Sequence, residues 1–277
     1  MVAAGGRLGR MSAPQASVAV IGGSGFYEFL DGAREVEVET PYGSPSAPVA
    51  LAGLGGTTVA FLPRHGKHHG SPPHLINYRA NLWALRSLGV RQVLAPCAAG
   101  GLSSEVAPGD LVVPDQLVDR TSSRVQTYVD GGAVHVPFAD PYCPSLSQVL
   151  ARGDGVRRGG TLVVVEGPRF STRAESRHYA AQGWSLVNMT GHPEAVLARE
   201  LQMCYAAVAV VTDMDAGAKS GQGVGQGEVF AMFARSIERL KRLLVGVLGD
   251  LPEAGARCQC AAWADGLQLP YQIPGQR

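Results

Sequence analysis

Short apolar runs rich in β-branched residues recur along the chain, and longer stretches with helical periodicity separate them. The apolar runs predict strands at 17–21, 57–62, 90–95, 110–114, 163–166, 185–188 and 206–212. Apolar residues at three- and four-residue steps predict helices at 78–88, 194–202 and 228–248. Strands that alternate with helices favour a mainly parallel sheet covered by helices. The predicted fold class is therefore α/β, with a mixed, mainly parallel central sheet flanked by helices.

Length and composition favour one domain that spans residues 1–277. The chain is 45% apolar and contains 36 glycines, which fits one compact α/β core. Residues 1–16 are small, polar and glycine-rich, so we expect a disordered tail there. Residues 250–277 are expected to form an irregular C-terminal segment.

The charge and hydropathy patterns restrict the partners. A net charge of +1 gives no general attraction to nucleic acid or to an anionic membrane. The first residues lack the apolar stretch of a secretory signal, and no later segment approaches about 18 unbroken apolar residues. We therefore expect a cytoplasmic protein that binds small molecules, with no nucleic-acid or membrane partner.

The cysteines give no sign of a metal site. Cys97, Cys143, Cys204, Cys258 and Cys260 are odd in number, widely spread and without the paired spacing of a structural zinc site. Reduced thiols are expected in a cytosolic protein. The closely spaced Cys258 and Cys260 are either a strained or redox-active pair or two incidental thiols of a polar tail, and the sequence leaves both open.

Polar and glycine-rich residues follow several predicted strands, where open α/β sheets bind small ligands. The segment 22–25 follows the first strand, and its backbone amides with the Ser24 hydroxyl could hold a phosphate. A plain tight turn is the alternative. Arg64 follows the second strand and offers forked donors that match the paired oxygens of a phosphate, unless it forms a surface salt bridge. Four histidines lie from His65 to His74, but no carboxylate or cysteine accompanies them, which disfavours a metal.

Two carboxylates end a strongly apolar strand. Burial and mutual repulsion of Asp213 and Asp215 would raise at least one pKa. A carboxylic acid kept protonated can donate to a ring nitrogen, while an ionised neighbour accepts from an exocyclic amine. This arrangement suits a purine, and a pair of helix-capping or solvated aspartates is the alternative. Met189 and Thr190 end another predicted strand at the same edge.

Together these residues resemble the methylthioadenosine phosphorylase group of the trimeric purine nucleoside phosphorylase family. The resemblance extends from Val18 to about Leu244, and so many ordered matches make coincidence very unlikely. The matching motifs occupy 21–25, 64–66, 77–81, 108–110, 115–116, 119–121, 166–171, 188–190, 193–194 and 212–215. A nucleoside phosphorylase-like fold is what this resemblance implies.

The resemblance also implies a set of binding residues. Phosphate would be held by Ser24, Arg64, His65, Cys97, Ala98 and Thr190. The nucleoside would be held by His135, Phe170, Ser171, Met189, Asp213, Asp215 and Val229. Met189 would lie under the ribose, Val229 would line an apolar pocket for the 5' substituent, and His135 would reach the substrate of a neighbouring subunit. Phe170 and Ser171 would line the base pocket.

The implied reaction is phosphorolysis of 5'-methylthioadenosine to adenine and 5-methylthioribose 1-phosphate, catalysed by a homotrimer. Inorganic phosphate is the co-substrate, and no metal or organic cofactor is expected. The catalytic residues would be Asp213 and Asp215, which face N7 and the 6-amino group of the purine. Cys97 stands where the family commonly has threonine, so phosphate affinity is expected to rest more on backbone amides.

Several other functions remain open. A 6-oxopurine phosphorylase for methylthioinosine or inosine is disfavoured, because such family members tend to carry asparagine where Asp213 stands. A phosphorylase for 5'-halogenated deoxyadenosines would also fit a small apolar pocket, whereas Gln226 near Val229 suits a more polar 5' group. From other classes, an NAD-dependent oxidoreductase lacks the complete dinucleotide fingerprint, and a non-catalytic nucleoside-binding protein would release no base.

Overall fold

A computed structural model describes residues 15–23, 26, 29–132, 134–216 and 223–276. The strands are β1 Val18–Gly22, β2 Arg34–Val36, β3 Val49–Leu54, β4 Thr57–Pro63, β5 Gln92–Gly101, β6 Leu111–Val113, β7 Gln116–Arg120, β8 Val156–Arg158, β9 Thr161–Val165, β10 Leu186–Asn188 and β11 Cys204–Asp213. The helices are α1 Tyr78–Ser87, α2 Pro144–Leu150, α3 Arg173–Ala181, α4 Gly191–Glu200 and α5 Gln226–Val247.

All these strands form one mixed sheet that centres on β5. Strands β1 and β11 run parallel to β5, and β10 pairs antiparallel with its end at Gly100 and Gly101. Parallel pairs also join β1 to β4, β9 to β10 and β7, and β6 to β8. The predicted mixed, mainly parallel sheet flanked by helices is therefore confirmed.

Helices cover both faces of the sheet, and β1 shows why. Its residues are all buried, and alternate side chains enter different cores because successive side chains of a strand point to opposite faces. Ala19 and Ile21 join a core with residues of α1 and α4, while Val18 and Val20 join a core with residues of α2 and α5. This double burial explains why the central strands are continuous apolar runs.

Strand β5 differs from its prediction at one end. The sequence suggested that the strand stops at Ala95, but it continues through Pro96 to Gly101. Strand β11 pairs with this extension as far as Gly100, and β10 pairs with the last two residues. These neighbours supply backbone partners for a segment whose proline and glycines predicted a loop.

The three helices predicted from periodicity are present within a few residues of their expected bounds. The Asn77 side chain caps α1 by accepting a hydrogen bond from the Ala80 amide over 3.1 Å. The backbone of His192 is extended, with φ −122° and ψ 136°, so the regular part of α4 starts at Pro193. Strands β3, β7 and β8 and helices α2 and α3 were not predicted, and most of them are short or partly exposed.

The part of the chain after α5 is nearly devoid of regular structure. Among the described residues from 251 to 276, one short 3₁₀ turn, Ala262–Ala264, is the only helix or strand. Ile273 is nevertheless buried in the core on the α1 side of the sheet. No helix in the described ranges has the length and apolar character needed to cross a membrane.

Candidate active site

The carboxyl ends of several strands surround one cavity of 340 Å³. A cavity of this size suits a small organic molecule. The predicted site residues that line it are Arg64, His65, Cys97, Ala98, Phe170, Ser171, Met189, Thr190, Asp213, Asp215 and Val229. The residues come from the ends of β4, β5, β10 and β11, from the loop after β9 and from α5. The fold thus brings together groups that are up to 165 residues apart in sequence, from Arg64 to Val229.

Two predicted site residues are not among the described residues that line this cavity. Ser24 lies outside the described residues, although the neighbouring Gly23 lines the cavity. His135 is exposed and is absent from the described cavity lining. Its assignment to a neighbouring subunit's substrate stays a prediction.

A buried ion pair lies beside the cavity where β4 ends. Arg64 and Glu194 are 1% and 0% exposed, and Arg64 donates to both carboxylate oxygens, from Nε over 2.6 Å and from Nη2 over 2.7 Å. Tyr205 donates to Glu194 Oε1 over 2.8 Å. Burial acts to lower the pKa of Arg64, but the attraction and hydrogen bonds of Glu194 outweigh it and raise that pKa. Arg64 therefore stays charged, and the Glu194 carboxylate balances its charge.

This pairing corrects one expectation. The forked donors of Arg64 were expected to meet phosphate, but Glu194 occupies the fork because it follows β10 in the first turn of α4. Carbonyl oxygens accept two further bonds, Ile21 from Nη2 over 3.3 Å and Pro96 from Nη1 over 3.2 Å. Among the described residues these contacts use four of the five guanidinium donors, so one Nη1 hydrogen remains for an anion.

Gly23 keeps the entrance to this guanidinium open. A Cβ added at Gly23 would lie 3.1 Å from Arg64 Nη1 and 3.2 Å from the Pro96 carbonyl oxygen. Any larger residue would therefore crowd Nη1 from the cavity side. Glycine at this position lets an anion approach both the backbone and the guanidinium.

His65 is a neutral hydrogen-bonding group in this cavity. Burial lowers its pKa to about 4, and the nearby Arg64 charge acts in the same direction. Its Nδ1 lies 2.9 Å from the Ser71 carbonyl oxygen. A carbonyl can only accept, so Nδ1 carries the hydrogen and Nε2 is left as an acceptor. The His69 ring stacks on His65 at 4.3 Å and also lines the cavity.

Cys97 and Thr190 also line this cavity. Burial raises the pKa of Cys97 to about 11, so the thiol is neutral near pH 7 and donates only weakly. Thr190 is buried at the end of β10 and precedes α4. Among the buried, described side chains at this part of the cavity, Arg64 is the only cation, and His65, Cys97 and Thr190 are neutral.

The two carboxyl groups line the same cavity where β11 ends: Asp213 is the last residue of the strand and Asp215 follows it. Burial raises the pKa of Asp213 to about 6, and the charge of Asp215 adds to the rise. Thr212 donates to Asp213 Oδ2 over 2.7 Å, which favours the ionised form and limits the shift. Asp215 is 3% exposed, and its Oδ2 has no hydrogen-bond partner among the described residues.

A local irregularity and a glycine bring these carboxyl groups together. The register between β11 and β5 shifts between Val211 and Asp213, so Thr212 and Asp213 both line the cavity instead of pointing to opposite faces. A Cβ added at Gly100 would lie 3.1 Å from Asp213 Oδ1 and 3.2 Å from Asp215 Cβ. Both aspartates therefore pack directly over a glycine of β5.

An apolar wall closes the remaining side. Met189 lies over Gly167, where an added Cβ would be 2.6 Å from its sulfur, and Val229 is 8% exposed at the start of α5. Phe230 lines the same wall, and its ring meets His69 edge to face at 5.7 Å. Gln226 contributes a polar side chain at the exposed rim.

Several lining or supporting residues were not assigned a role from the sequence. They are Glu194, Tyr205, Asn188, His69 and Phe230. For Glu194 the sequence did carry a signal, because this acidic residue stands at the start of an otherwise apolar helix, directly after a strand-end motif. Such a residue is expensive to bury without a cation, and Arg64 was the unpaired cation at the same sheet edge.

Comparison with known proteins gives consistent results. The family model described as the phosphorylase superfamily matches residues 17–249. The chain is 59% identical over 256 residues to an S-methyl-5'-thioadenosine phosphorylase of Mycolicibacterium smegmatis, covering 92% of this chain and 98% of the relative. It is 54% identical over 275 residues to a purine nucleoside phosphorylase of Streptomyces coelicolor, covering 94% and 98%.

Solved structures give the same similarity. A methylthioadenosine phosphorylase from an antarctic soil metagenomic library superposes with a TM-score of 0.83 at 38% identity, covering 91% of each chain. A methylthioadenosine phosphorylase of Schistosoma mansoni in complex with adenine gives a TM-score of 0.80 at 35% identity, covering 84% of this chain and 91% of that one.

Proposed function

The chain belongs to the phosphorylase superfamily, and we propose that it catalyses phosphorolysis of 5'-methylthioadenosine. Inorganic phosphate attacks the anomeric carbon, a C–O bond forms there, and the bond to N9 of adenine breaks. The products are adenine and 5-methylthioribose 1-phosphate. The reaction requires an anion site, an apolar sugar cradle and a proton donor for the departing base, each in fixed positions.

The pair Asp213 and Asp215 is the observation that carries this proposal. A buried carboxyl with a pKa raised to about 6 can donate a proton to N7 of a purine. The Asp215 Oδ2 atom, which has no hydrogen-bond partner among the described residues, can accept a hydrogen bond from a 6-amino group. A 6-oxo group would instead place an oxygen against that acceptor. Adenine is therefore favoured over hypoxanthine.

The groups around Arg64 support phosphate as the nucleophile. The Nη1 hydrogen of Arg64 that no described residue accepts donates to a phosphate oxygen, and Gly23 and Ala98 line the same cavity. The Nε2 acceptor of neutral His65 suits the remaining hydrogen of monohydrogen phosphate. No metal or organic cofactor is assigned to the reaction, because these side chains and phosphate itself supply the required groups.

The assembly is part of the proposal. We assign a cytoplasmic homotrimer in which the exposed His135 of one subunit reaches the 5' end of a neighbour's substrate. His135→Ala should then raise the KM for methylthioadenosine while leaving the KM for phosphate unchanged, with exposed His178→Ala as the matched control. Light scattering during size-exclusion chromatography measures the assembly. A monomer with unaltered His135→Ala kinetics would contradict this part.

A substrate panel tests the reaction. Methylthioadenosine, methylthioinosine, adenosine, inosine and a 5'-chloro-5'-deoxyadenosine are each incubated with and without phosphate, and free base is measured by chromatography. Methylthioadenosine should have the highest kcat/KM, on the order of 10² above methylthioinosine, because a buried acceptor discriminates strongly against the wrong polar group. Base release without phosphate would indicate a hydrolase, and binding without base release a non-catalytic nucleoside-binding protein.

A second candidate is a phosphorylase for nucleosides with a 5'-hydroxyl group. Gln226 at the rim favours it, since an amide can hydrogen-bond a hydroxyl but gains nothing from a thioether. In the panel this alternative predicts adenosine above methylthioadenosine. Gln226→Leu should then lower kcat/KM for adenosine only.

A further inference from the structure

Four of the five cysteines meet at one point of the fold, away from the cavity. Cys143 precedes α2, Cys204 is the first residue of β11, and Cys258 and Cys260 belong to the C-terminal segment. Their four Sγ atoms all lie within 4.8 Å of one another. The sequence spacing gave no sign of this cluster, because three distant segments contribute to it.

The dimensions of the cluster match a tetrahedral metal site. Zinc binds cysteine sulfur at about 2.3 Å, so the edges of a tetrahedral ZnS₄ unit measure about 3.8 Å. The Sγ atoms of Cys204 and Cys258 are 3.5 Å apart, and the other separations stay below 4.8 Å. All five cysteines are free thiols in this structure. A disulfide would require sulfur atoms about 2 Å apart.

The donor set is also selective. Cys143, Cys204 and Cys260 are buried, at 1%, 2% and 2% exposure, and Cys258 is half-buried. Thiols can fill an apolar core as small hydrophobic groups, but that role does not require four of them to converge from three segments. No histidine or carboxylate belongs to this cluster of described residues. Four soft sulfur donors favour zinc over magnesium or calcium.

We propose that Cys143, Cys204, Cys258 and Cys260 bind one zinc ion as a structural site. Four protein ligands fill a tetrahedral zinc and leave no position for a water or a substrate. Cys204 and Asp213 are the first and last of the ten residues of β11, so nine steps of about 3.3 Å place the cysteine end of the strand about 30 Å from Asp213. The site therefore stabilises the fold and takes no part in the reaction.

Zinc would fasten the C-terminal segment to the sheet. This segment contains almost no regular structure, and it is held to the rest of the fold by scattered contacts rather than by a helix or strand. Examples are the hydrogen bonds from Ser145 Oγ to the Arg257 carbonyl at 2.9 Å and from Trp263 Nε1 to the Arg199 carbonyl at 2.8 Å, and the buried Ile273. A metal shared by Cys258, Cys260, β11 and the start of α2 joins all three segments at one point. Metal binding to thiols releases their protons, and the buried Arg199 guanidinium, which acts electrostatically on Cys260, offsets part of the resulting negative charge.

Metal analysis of the full chain tests the site. The protein is purified in reductant, incubated with a small excess of zinc, freed of loosely bound metal and analysed by mass spectrometry of the elements. Wild type should hold about one zinc per chain, and X-ray absorption should show four sulfur ligands at about 2.3 Å. The double variant Cys258→Ser/Cys260→Ser should lose at least about nine tenths of the zinc. Cys97→Ser, which changes the cysteine outside the cluster, should keep it.

The wild-type measurements decide the matter even where the double variant folds poorly. Zinc below about a tenth per chain after reconstitution, or nitrogen and oxygen ligands in the absorption spectrum, would overturn the site. Thiols that resist alkylation until a reductant is added would show disulfides in place of a metal, which also overturns it. Removal of zinc by a strong chelator should expose the segment after α5 to proteolysis, and an unchanged digestion pattern contradicts the fastening role. None of these readouts depends on the proposed phosphorolysis, so the two proposals fail separately.

Discussion

The two ends of β11 are built on opposite principles. At its carboxyl end, Asp213 and Asp215 are buried beside a cavity, and Asp215 Oδ2 has no hydrogen-bond partner among the described residues. At its amino end, Cys204 packs against three other thiols within a closed core. The first arrangement lowers the stability of the free protein, because buried ionisable groups lose their hydration. The second costs little, since thiols are readily buried.

The difference between the two ends of β11 separates residues that serve ligand binding from residues that stabilise the fold. Polar groups without protein partners are tolerated at the cavity because a ligand can satisfy them. A series of hydrogen bonds connects the two ends. Tyr205, which follows Cys204, donates to Glu194, and Glu194 accepts from Arg64, which lines the cavity. Variants at these three places should therefore affect stability and activity in different proportions.

Glu194→Gln should give the largest effect on stability. The change leaves the Arg64 charge buried without a counter-charge, and breaking a buried pair in this way costs about 3–5 kcal/mol. Urea denaturation measures the loss. Added phosphate should recover more stability in this variant than in wild type, because the anion then supplies the missing negative charge.

Glu175→Gln is the matched control for this loss. Glu175 also pairs with an arginine, Arg169, but at the surface, where the charges remain hydrated. The urea midpoint of the Glu175→Gln variant should change little, and added phosphate should stabilise this variant as much as it stabilises wild type. Equal losses for the two variants would mean that the burial of Glu194 has no special role.

Asp213→Asn should lower kcat/KM for methylthioadenosine by on the order of 10² or more, as expected for loss of a general acid. The Asp213 carboxyl can donate only while protonated. With a pKa of about 6 in the free enzyme, the wild-type kcat/KM should fall as pH rises above that value. The variant should lack this limb of the pH profile.

Asp250→Asn, at an exposed aspartate after α5, provides the control. It should keep both the rate and the pH profile of wild type. An Asp213→Asn variant that retains the wild-type rate would remove Asp213 from the role of proton donor.

Much of the fold followed from local pattern, and the exceptions have a physical cause. Buried strands such as β1 and β11 and the long amphipathic helix α5 carry signals within their own residues. The extension of β5 through Pro96 to Gly101 depends on partners from β10 and β11, which come from distant sequence. Pairing between segments overrode the local preference of proline and glycine for a loop.

The site shows the same division. Asp213 and Arg64 were predicted because each ends an apolar strand, and strand ends share one edge of a sheet. The partner of Arg64 was missed, since only the folded chain shows that Glu194 is 0% exposed and faces the guanidinium. The cysteine cluster was missed for a similar reason: no two of its three segments are neighbours in sequence, and only the short spacing of Cys258 and Cys260 was unusual.

Asp213→Asn should also increase the stability of the folded protein at high pH, whereas most substitutions lower stability. The folded-state pKa of Asp213 is raised from 3.8 to about 6, so ionisation is harder in the folded protein than in the unfolded chain. The protonated Asp213 carboxyl therefore contributes its full stabilisation of the folded state below pH 3.8, and this stabilisation is lost as pH rises through about 6. At about 1.4 kcal/mol per pKa unit, the roughly two-unit shift costs up to about 3 kcal/mol at pH 8. The variant should be more stable than wild type at pH 8 and similar at pH 4, measured by urea denaturation; an equal difference at both pH values would contradict the raised pKa.

Cys97→Thr should give the smallest effect, confined to the cavity end of the comparison. Threonine restores a hydroxyl donor where the neutral thiol donates weakly, and one such hydrogen bond is worth about 1 kcal/mol. The KM for phosphate should therefore fall about fivefold, with the KM for methylthioadenosine and the zinc content unchanged. Initial rates at varied phosphate measure the first quantity. A parallel fall in both KM values would indicate a general change of the cavity, because the buried Cys97 side chain also packs against the strands on either side of it.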